Sequence, residues 1–376
     1  MKIKNTKIVA FINSAKKRII KSWSKNKKEF QWPESVVLFL ALFAFISLVL
    51  FFYNSIKEDI WEGTSFIIST IEKGGEDNIP AHYIRRRLDG VYVEPNEANL
   101  YPVAVMIDND PNARPQAGLS KAQLVYEAKA ESGITRYLAV FVGEEEVDNI
   151  GPVRSVRPYF LDWGLGLGAI VAHVGGSPQA LAQIINENIF DINEYYQGKY
   201  FWRSNNFLAP HNVFTSLSNM RSYLEKHNIK SAEFESWNYK NDSELKDRSE
   251  NQNITIDFSV PNFKIRWMYN RVENSYRRHQ AEKVFQDAED NFVDAKNIVI
   301  MYVDSEVIDA ELRRELTTIG QGRAIYCFDG QCREGSWRKE NKKTREKIYN
   351  REGVEISFNA GATWVEVVQP GTPIEF

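Results

Sequence analysis

The stretch AIVAHVGGSPQALAQIINEN, residues 169–188, packs the signals of a strand, a turn and a helix into twenty positions. Residues 169–174 form an apolar run of the length and composition typical of a buried strand. Gly175-Gly176 ends that run, and Ser177-Pro178 is a common helix start, with serine as the N-cap and proline in the first turn. The stretch predicts a buried strand that turns directly into a helix ending near Asn188.

The sequence around this unit predicts a mixed α/β domain over residues 91–233. An apolar run at 103–107 predicts another buried strand, and residues 123–129 and 134–142 predict a pair of strands. A short second helix is expected from residue 158 to 163, directly before the opening stretch.

A second, β-rich domain is expected over residues 254–376, after a polar linker at 234–253. Phe263, Ile265, Trp267 and Tyr269 alternate with less apolar residues, which is the period of a half-buried strand. Further strands are predicted at residues 297–303, 322–328, 354–358 and 363–368. The predicted fold class is therefore α+β, with a membrane helix before the two domains.

The predicted membrane helix is VVLFLALFAFISLVLFFY, residues 36–53, which contains no charged residue. Eighteen apolar residues fall within the range for a single membrane crossing. The basic segment at 1–35 is expected to stay in the cytoplasm, which places the domains outside the membrane. Residues 54–90 are expected to form a juxtamembrane stalk. A cleaved signal peptide is the alternative, although no small-residue cleavage site follows.

The distribution of charge argues against nucleic-acid binding. The chain has 47 basic and 50 acidic residues, and residues 1–35 hold ten basic and two acidic ones. Residues 36–376 therefore hold 37 basic and 48 acidic residues, a net charge of −11. Affinity for phosphate backbones depends on clustered lysine and arginine, so we expect no nucleic-acid partner.

The two cysteines of the chain, Cys327 and Cys332, flank the sequence Phe-Asp-Gly-Gln. Asp329-Gly330 between apolar residues is a strong signal for a two-residue hairpin turn. The cysteines would then face each other at a non-hydrogen-bonded pair, whose short Cα separation suits a disulfide. Two free thiols are the alternative. A zinc site would need a second pair of ligands, which the sequence does not supply. No metal or cofactor is therefore expected.

Several motifs together resemble the YerB-like family of bacterial envelope lipoproteins. They are VAVMIDNDPNARPQAGL (103–119), VYEAKAESGITRYLAVF (125–141), GPVRSVRP (151–158), HVGGSPQAL (173–181), HNVFT (211–215), GRAIYCFDGQCREGSWRK (322–339) and GVEISFNAGATWVEVVQP (353–370). The resemblance covers most of residues 91–376. It implies a two-domain extracytoplasmic protein and assigns no chemistry. Family members usually carry a cysteine after the apolar segment, and this sequence has none there.

The main candidate site is an anion site in the motif GPVRSVRP, where Arg154 and Arg157 precede a predicted helix start. Helix N-termini already carry partial positive charge, so two arginines there indicate a nearby negative group. That group is either a bound anion or a carboxylate of the chain, with Asp108, Glu127 and Glu131 as the internal alternatives. The candidate ligand-binding residues are Arg154, Ser155, Arg157, His173, Gly175, Gly176, Ser177, Arg203, His211 and Asn212.

The same region suggests three other chemistries. Ser177 after Gly175-Gly176 resembles a nucleophile elbow, although a serine cap explains it equally. The loop Asp108-Asn109-Asp110 offers oxygen ligands for a metal, but such loops are usually turns. Aromatic residues beside Arg203 suggest carbohydrate recognition, with core packing as the alternative. They are Tyr195, Tyr196, Tyr200, Phe201 and Trp202.

The sequence thus predicts a membrane-anchored extracytoplasmic protein that binds an anionic or saccharide-containing envelope component. The rival hypotheses are an envelope hydrolase or transferase, with His173 or His211 as the base, and a scaffold for a protein partner.

Overall fold

The computed structural model describes residues 79–143, 146–250 and 252–376, together with Ser47. The predicted cytoplasmic segment and most of the predicted membrane helix and stalk lie outside the described residues. No helix among the described residues has the length and apolarity needed to cross a membrane. The described residues from 79 to 376 form one compact unit.

The described part of the first domain combines nine strands with four α-helices. In chain order these are β1 (Ile84–Arg85), β2 (Tyr92–Val93), β3 (Val103–Asp108), β4 (Leu124–Glu131), β5 (Ile134–Phe141), α1 (Pro158–Gly166), β6 (Ile170–His173), α2 (Pro178–Asn186), β7 (Asp191–Asn193), α3 (Glu194–Gln197), β8 (Trp202–Arg203), β9 (Val213–Phe214) and α4 (Leu217–Lys226).

The rest of the described chain contains strands and no α-helix. The strands are β10 (Asn238–Lys240), β11 (Ile254–Asp257), β12 (Lys264–Asn270), β13 (Ser275–Gln280), β14 (Lys283–Val284), β15 (Asp294–Ala295), β16 (Asn297–Tyr302), β17 (Ser305–Val307), β18 (Arg314–Leu316), β19 (Gly320–Phe328), β20 (Gln331–Lys339), β21 (Lys347–Asn350), β22 (Ser357–Asn359), β23 (Thr363–Val368) and β24 (Ile374–Glu375). Short 3-10 helices occur at Pro111–Ala113, Leu119–Lys121, Gly198–Tyr200, Leu245–Asp247 and Pro261–Phe263.

One ten-stranded sheet runs through both domains. Its strand order is β21-β20-β19-β16-β23-β4-β5-β3-β6-β7, so five strands of the second domain continue into five strands of the first. The junction is the parallel pair β23–β4, where Thr363 lies opposite Leu124 and Val367 opposite Ala128. The two domains are therefore joined by backbone hydrogen bonds.

Each face of this sheet is covered by a different layer. Alternate residues of each strand point to opposite faces, and two hydrophobic clusters result. Met106 and Tyr126 pack with helix α1 on one face. Val105 and Trp364 pack on the other face with Trp267, which belongs to a six-stranded sheet built around β11, β12 and β13. Helices α1 and α2 therefore cover one face of the large sheet, and helix α4 and the smaller sheet pack on the other.

The opening stretch folds as its sequence predicts. Strand β6 is fully buried, and the Ser177 hydroxyl accepts a hydrogen bond from the Ala180 amide at 3.2 Å, which caps α2. The helix ends two residues earlier than expected, because Asn188 has a φ of 50° and the left-handed conformation stops helix propagation. Helix α1 is longer than predicted and continues to Gly166.

The predicted hairpin and disulfide are both confirmed. Asp329 and Gly330 have φ angles of 54° and 71°, as a two-residue turn between twisted strands requires. Cys327 and Cys332 are register partners in β19 and β20, and a disulfide joins them across a Cα separation of 4.1 Å. The alternation predicted around residue 265 is confirmed too, since Ile265, Trp267 and Tyr269 are the buried residues of β12.

One segment prediction needs correction, and the predicted linker makes contacts that its sequence does not reveal. Residues 84–90 were assigned to the stalk, but Ile84 pairs with Val93 and Leu88 is buried, so the folded unit already includes them. The linker at 234–253 is packed against the second domain. Trp237 is buried, and β10 pairs in parallel with β22. Neither contact is visible in these polar segments, because a single buried residue produces no periodic hydrophobic pattern in the sequence.

Candidate functional site

The motif that holds the two candidate arginines lies between the carboxyl ends of two parallel strands, β3 and β6. The Arg154 amide donates to the Met106 carbonyl at 2.9 Å, and the Val174 amide donates to the Arg154 carbonyl at 3.1 Å. The motif therefore forms backbone hydrogen bonds with residues of both strands, beyond the last pair of the sheet. Ligand sites of open α/β sheets are found at this edge. Arg157 then precedes Pro158, the first residue of α1.

Arg154 contacts a carboxylate of the chain. Its Nε lies 2.9 Å from Oδ2 of Asp108, and its Nη1 donates to the Pro210 carbonyl at 3.2 Å. The same Asp108 oxygen lies 2.7 Å from Nδ1 of His211. Burial alone would raise the pKa of Asp108, but Arg136 and Arg154 outweigh it and hold that pKa below its ordinary value.

Arg157 contacts a different carboxylate. Its Nη2 lies 2.8 Å from both oxygens of Glu131, and Nη2 of Arg136 lies 2.9 Å from Oε1 of the same glutamate. The Ser155 carbonyl accepts a hydrogen bond from Arg136 at 2.7 Å. Burial would raise the pKa of Glu131, and the two arginines instead lower it. Each arginine of the motif thus has an internal carboxylate as partner.

The turn after β6 has a structural role at every position. His173 is fully buried, with Nδ1 2.7 Å from the Gly175 carbonyl and Nε2 2.9 Å from Oδ2 of Asp191. The Ser177 hydroxyl caps α2, and Gly176 forms a bridge with Val156. His173 and Ser177 are both buried, with 0% and 4% of their surface exposed.

Gly175 allows a close contact with an aromatic ring. It has a φ of +60°, and a Cβ built on it would lie 2.9 Å from a ring carbon of Tyr195. Glycine is favoured where the backbone is left-handed and a neighbour approaches this closely. The predicted glycine turn therefore positions a tyrosine.

Arg203 and Asn212 are brought together by the hairpin β8–β9. Nη1 of Arg203 donates to Oδ1 of Asn212 at 3.0 Å, and Nη2 donates to Oε1 of Glu194 at 3.1 Å. His211 precedes Asn212 and reaches Asp108, so this hairpin lies beside Arg154. These contacts group Arg154, Arg203, His211 and Asn212, whereas Arg157 and His173 are buried.

The aromatic cluster divides into core and surface. Tyr200 and Phe201 are buried, whereas Tyr195, Tyr196 and Trp202 expose 68%, 83% and 36% of their surface. We call these three exposed residues, with Arg203 and Asn212 beside them, the aromatic surface. The sequence predicts all five rings as one cluster and does not divide them, because the division depends on the turns of α3 and the 3-10 helix that follows.

The acidic loop before Pro111 is a turn. The Asp110 carboxylate accepts from the Asn112 amide at 2.9 Å, and Oδ1 of Asp108 accepts from the Asp110 amide at 3.0 Å. Within the described part of the chain, no three His, Cys, Asp or Glu side chains are grouped so that they could hold a metal ion.

Comparison with known proteins places the chain in a family. A family model described as "Protein of unknown function (DUF3048) N-terminal domain" matches residues 88–230, and the corresponding C-terminal domain matches residues 254–365. "Putative lipoprotein YerB" of Bacillus subtilis (strain 168) is 30% identical over 299 residues, which cover 78% of this chain and 89% of that protein. The crystal structure of YerB from Bacillus subtilis has a TM-score of 0.69 and 29% identity, covering 78% of this chain and 100% of the other. The chain belongs to the DUF3048 family, to which its two domains correspond in order.

Proposed function

We propose that this protein is a membrane-anchored, extracytoplasmic envelope protein whose aromatic surface binds a saccharide of the cell envelope. The Bacillus relative is named "Putative lipoprotein YerB", which supports the location. The disulfide supports it too, because such bonds persist mainly outside the reducing cytoplasm. The apolar segment at 36–53 supplies the proposed single-pass anchor, with the N-terminus in the cytoplasm.

The exposure of Tyr195, Tyr196 and Trp202 is the observation that carries the proposal. Large aromatic side chains are normally buried, and exposed ones grouped within eight residues mark an interaction surface. Aromatic faces can pack on the C–H face of a sugar ring, while Arg203 and Asn212 offer donors and an acceptor to its hydroxyls. A sugar ring has an apolar C–H face and polar hydroxyls, so its binding site needs aromatic and polar side chains next to each other.

The arginine motif favours a saccharide over a simple anion. Arg154 and Arg157 each lie 2.9 Å or less from a carboxylate of the chain, so each already has an internal partner. An incoming anion would have to compete with Asp108 and Glu131, whose negative charge would repel it. These carboxylates would not repel a neutral saccharide, and they would repel a weakly charged one only slightly.

The test is co-sedimentation of the full-length chain, purified in detergent, with chitin as an insoluble amino-sugar polymer. The wild type is expected to sediment with the polymer, and the Tyr196→Ala/Trp202→Ala variant is expected to stay in solution. Phe376→Ala is the matched control, because Phe376 is an exposed aromatic residue far along the chain. Equal sedimentation of all three proteins, or of none, would overturn the proposal.

A second candidate function follows from the contact between His211 and Asp108. A carboxylate on Nδ1 of a partly exposed histidine orients the ring as a general base, and Arg154 lies on the same carboxylate. Within the described residues, Nε2 of His211 has no hydrogen-bond partner. An envelope hydrolase would release reducing ends from the polymer, and His211→Ala would lose that turnover with an unchanged melting temperature. No release by the wild type would exclude this candidate for that polymer.

A further inference from the structure

A large cleft, separate from the aromatic surface, lies between helices α1 and α2 and the hairpin β17–β18. Its volume is about 950 Å³. That volume is at the upper end of the range for small-molecule sites and suits an extended ligand. The helices belong to the first domain and the hairpin to the second, so both family domains build the walls.

The wall formed by α2 presents a row of carboxamides. Gln179, Gln183 and Asn186 are spaced by four and three residues, which puts them on one face of the helix with Ala182 between them. Each carboxamide carries both donors and an acceptor. Those of Gln179 and Asn186 make no hydrogen bond to any described residue. Such a row can pair with the alternating N–H and C=O groups of a peptide backbone.

The floor of the cleft is a buried polar contact between the domains. Asp162 of α1 is only 7% exposed. Its Oδ2 accepts from the Thr318 hydroxyl at 2.7 Å, and its Oδ1 accepts from the Gln183 side chain at 2.9 Å. Thr318 follows β18 in the second domain. The bonds of Asp162 therefore fix the separation of the two walls.

The opposite wall carries unbalanced negative charge. Glu306 and Glu315 are register partners in β17 and β18, and like charges in that position are destabilising. Neither contacts a cation among the described residues, and Asp304 lies beside them. The cations nearby have other partners: Lys342 lies 2.6 Å from Glu187, and Arg314 donates to the Ser305 hydroxyl at 3.0 Å.

We propose that this cleft binds an extended peptide that carries free amines. The carboxamide row of α2 would pair with its backbone, and the carboxylates of the hairpin would hold its ammonium groups. The lining residues include five carboxylates and one lysine, so the cleft selects cationic over anionic peptides. This site is independent of the aromatic surface, and either can exist without the other.

The experiment is a fluorescence-anisotropy titration of the full-length chain with labelled Ala-Lys-Ala-Lys-Ala. Two further peptides serve as competitors. One is the same peptide with both lysines acetylated, and the other is Ala-Glu-Ala-Glu-Ala. The lysine peptide is expected to bind, and acetylation or replacement by glutamate is expected to weaken binding at least tenfold. Equal binding of the three peptides, or no binding of any, would overturn the proposal.

Two pairs of variants locate the site. Ala182→Arg puts a cation on the cleft wall, whereas Ile185→Arg puts one on the same helix at a residue that is 78% exposed and does not line the cleft. Only Ala182→Arg is expected to abolish binding. Glu306→Gln/Glu315→Gln is expected to weaken binding tenfold or more, and Glu352→Gln/Glu375→Gln, which removes the same charge elsewhere, is not. Equal effects within either pair would show non-specific attraction and contradict the proposed site.

Discussion

Glu127 and Glu366 lie opposite each other in adjacent parallel strands, fully buried, and one arginine binds both. Nη2 of Arg278 lies 2.6 Å from Oε2 of Glu127, and Nη1 lies 3.0 Å from Oε1 of Glu366. The guanidinium is also 4.5 Å from the ring centre of Trp364 and 5.2 Å from that of Trp267. The three charged residues come from β4, β13 and β23, so this cluster connects both sheets and both domains.

Arg278→Met is expected to destabilise the protein strongly. Removing the arginine leaves the Glu127 side chain buried beside Glu366 without a cation, and breaking a buried ion pair typically costs about 3–5 kcal/mol. Arg277→Met is the control, because the neighbouring Arg277 pairs with Asp294 at the surface and such pairs contribute about 1 kcal/mol or less. Urea denaturation measures both free energies of unfolding. Similar losses for the two variants would contradict the central role of Arg278.

The stability of the wild type is expected to fall as pH rises from about 4.5 to about 8. The pKa of Glu366 is raised from 4.5 to about 8, mainly by burial and then by the charge of Glu127, while Arg278 opposes the rise. Between these pH values the folded protein holds a proton that the unfolded chain has released. The free energy of unfolding should decrease by about 1.4 kcal/mol per pH unit for that proton.

Glu366→Gln isolates this titration, because glutamine keeps an acceptor for Trp267 and Arg278 but cannot lose a proton. The difference in unfolding free energy between variant and wild type should grow with pH up to about 8 and then level off. Urea denaturation from pH 5 to 9 gives that difference. A difference that does not change with pH would show that Glu366 titrates normally.

Removing the disulfide is expected to have a moderate effect. Cys327 and Cys332 close a loop of only six residues, for which the chain-entropy model predicts a loss of roughly 2 kcal/mol. Cys327→Ala/Cys332→Ala should lower the free energy of unfolding by that amount. Reductant present during urea denaturation should bring the wild type to the level of the variant and leave the variant unchanged. A wild type that does not respond to reductant would contradict this contribution.

Gly175→Ala is expected to displace Tyr195 and so weaken ligand binding at the aromatic surface. The new Cβ would collide with the ring of Tyr195, and the left-handed backbone at +60° would add about 1–2 kcal/mol of strain. Gly198→Ala is the control in the same region, since nothing lies within 4 Å of its position. Binding to chitin should fall for Gly175→Ala alone. If both variants bind chitin equally well, the position of Tyr195 does not affect binding.

Local features of the fold were predictable from sequence. The hairpin at Asp329-Gly330 follows from turn chemistry, and the capped helix after β6 follows from Ser177-Pro178. Both depend on residues a few positions apart. The burial of Ile265 and Trp267 follows from period-two alternation in the same way.

Contacts between distant strands were not predictable. The cluster around Arg278 joins residues 127, 278 and 366, and no sequence pattern reveals which strands become neighbours. The arginine motif shows the same limit. Asp108 and Glu131 were both named as internal partners, but only the sheet register decides that Arg154 meets the first and Arg157 the second.

The central claim is that the aromatic surface binds a saccharide, and titration calorimetry with a soluble hexamer of N-acetylglucosamine tests it most directly. The wild type is expected to bind one hexamer per chain. Tyr196→Ala/Trp202→Ala is expected to bind at least tenfold more weakly, a loss of about 1.4 kcal/mol or more, with an unchanged melting temperature. Binding of equal strength in wild type and variant, or no heat of binding in the wild type, would contradict the claim.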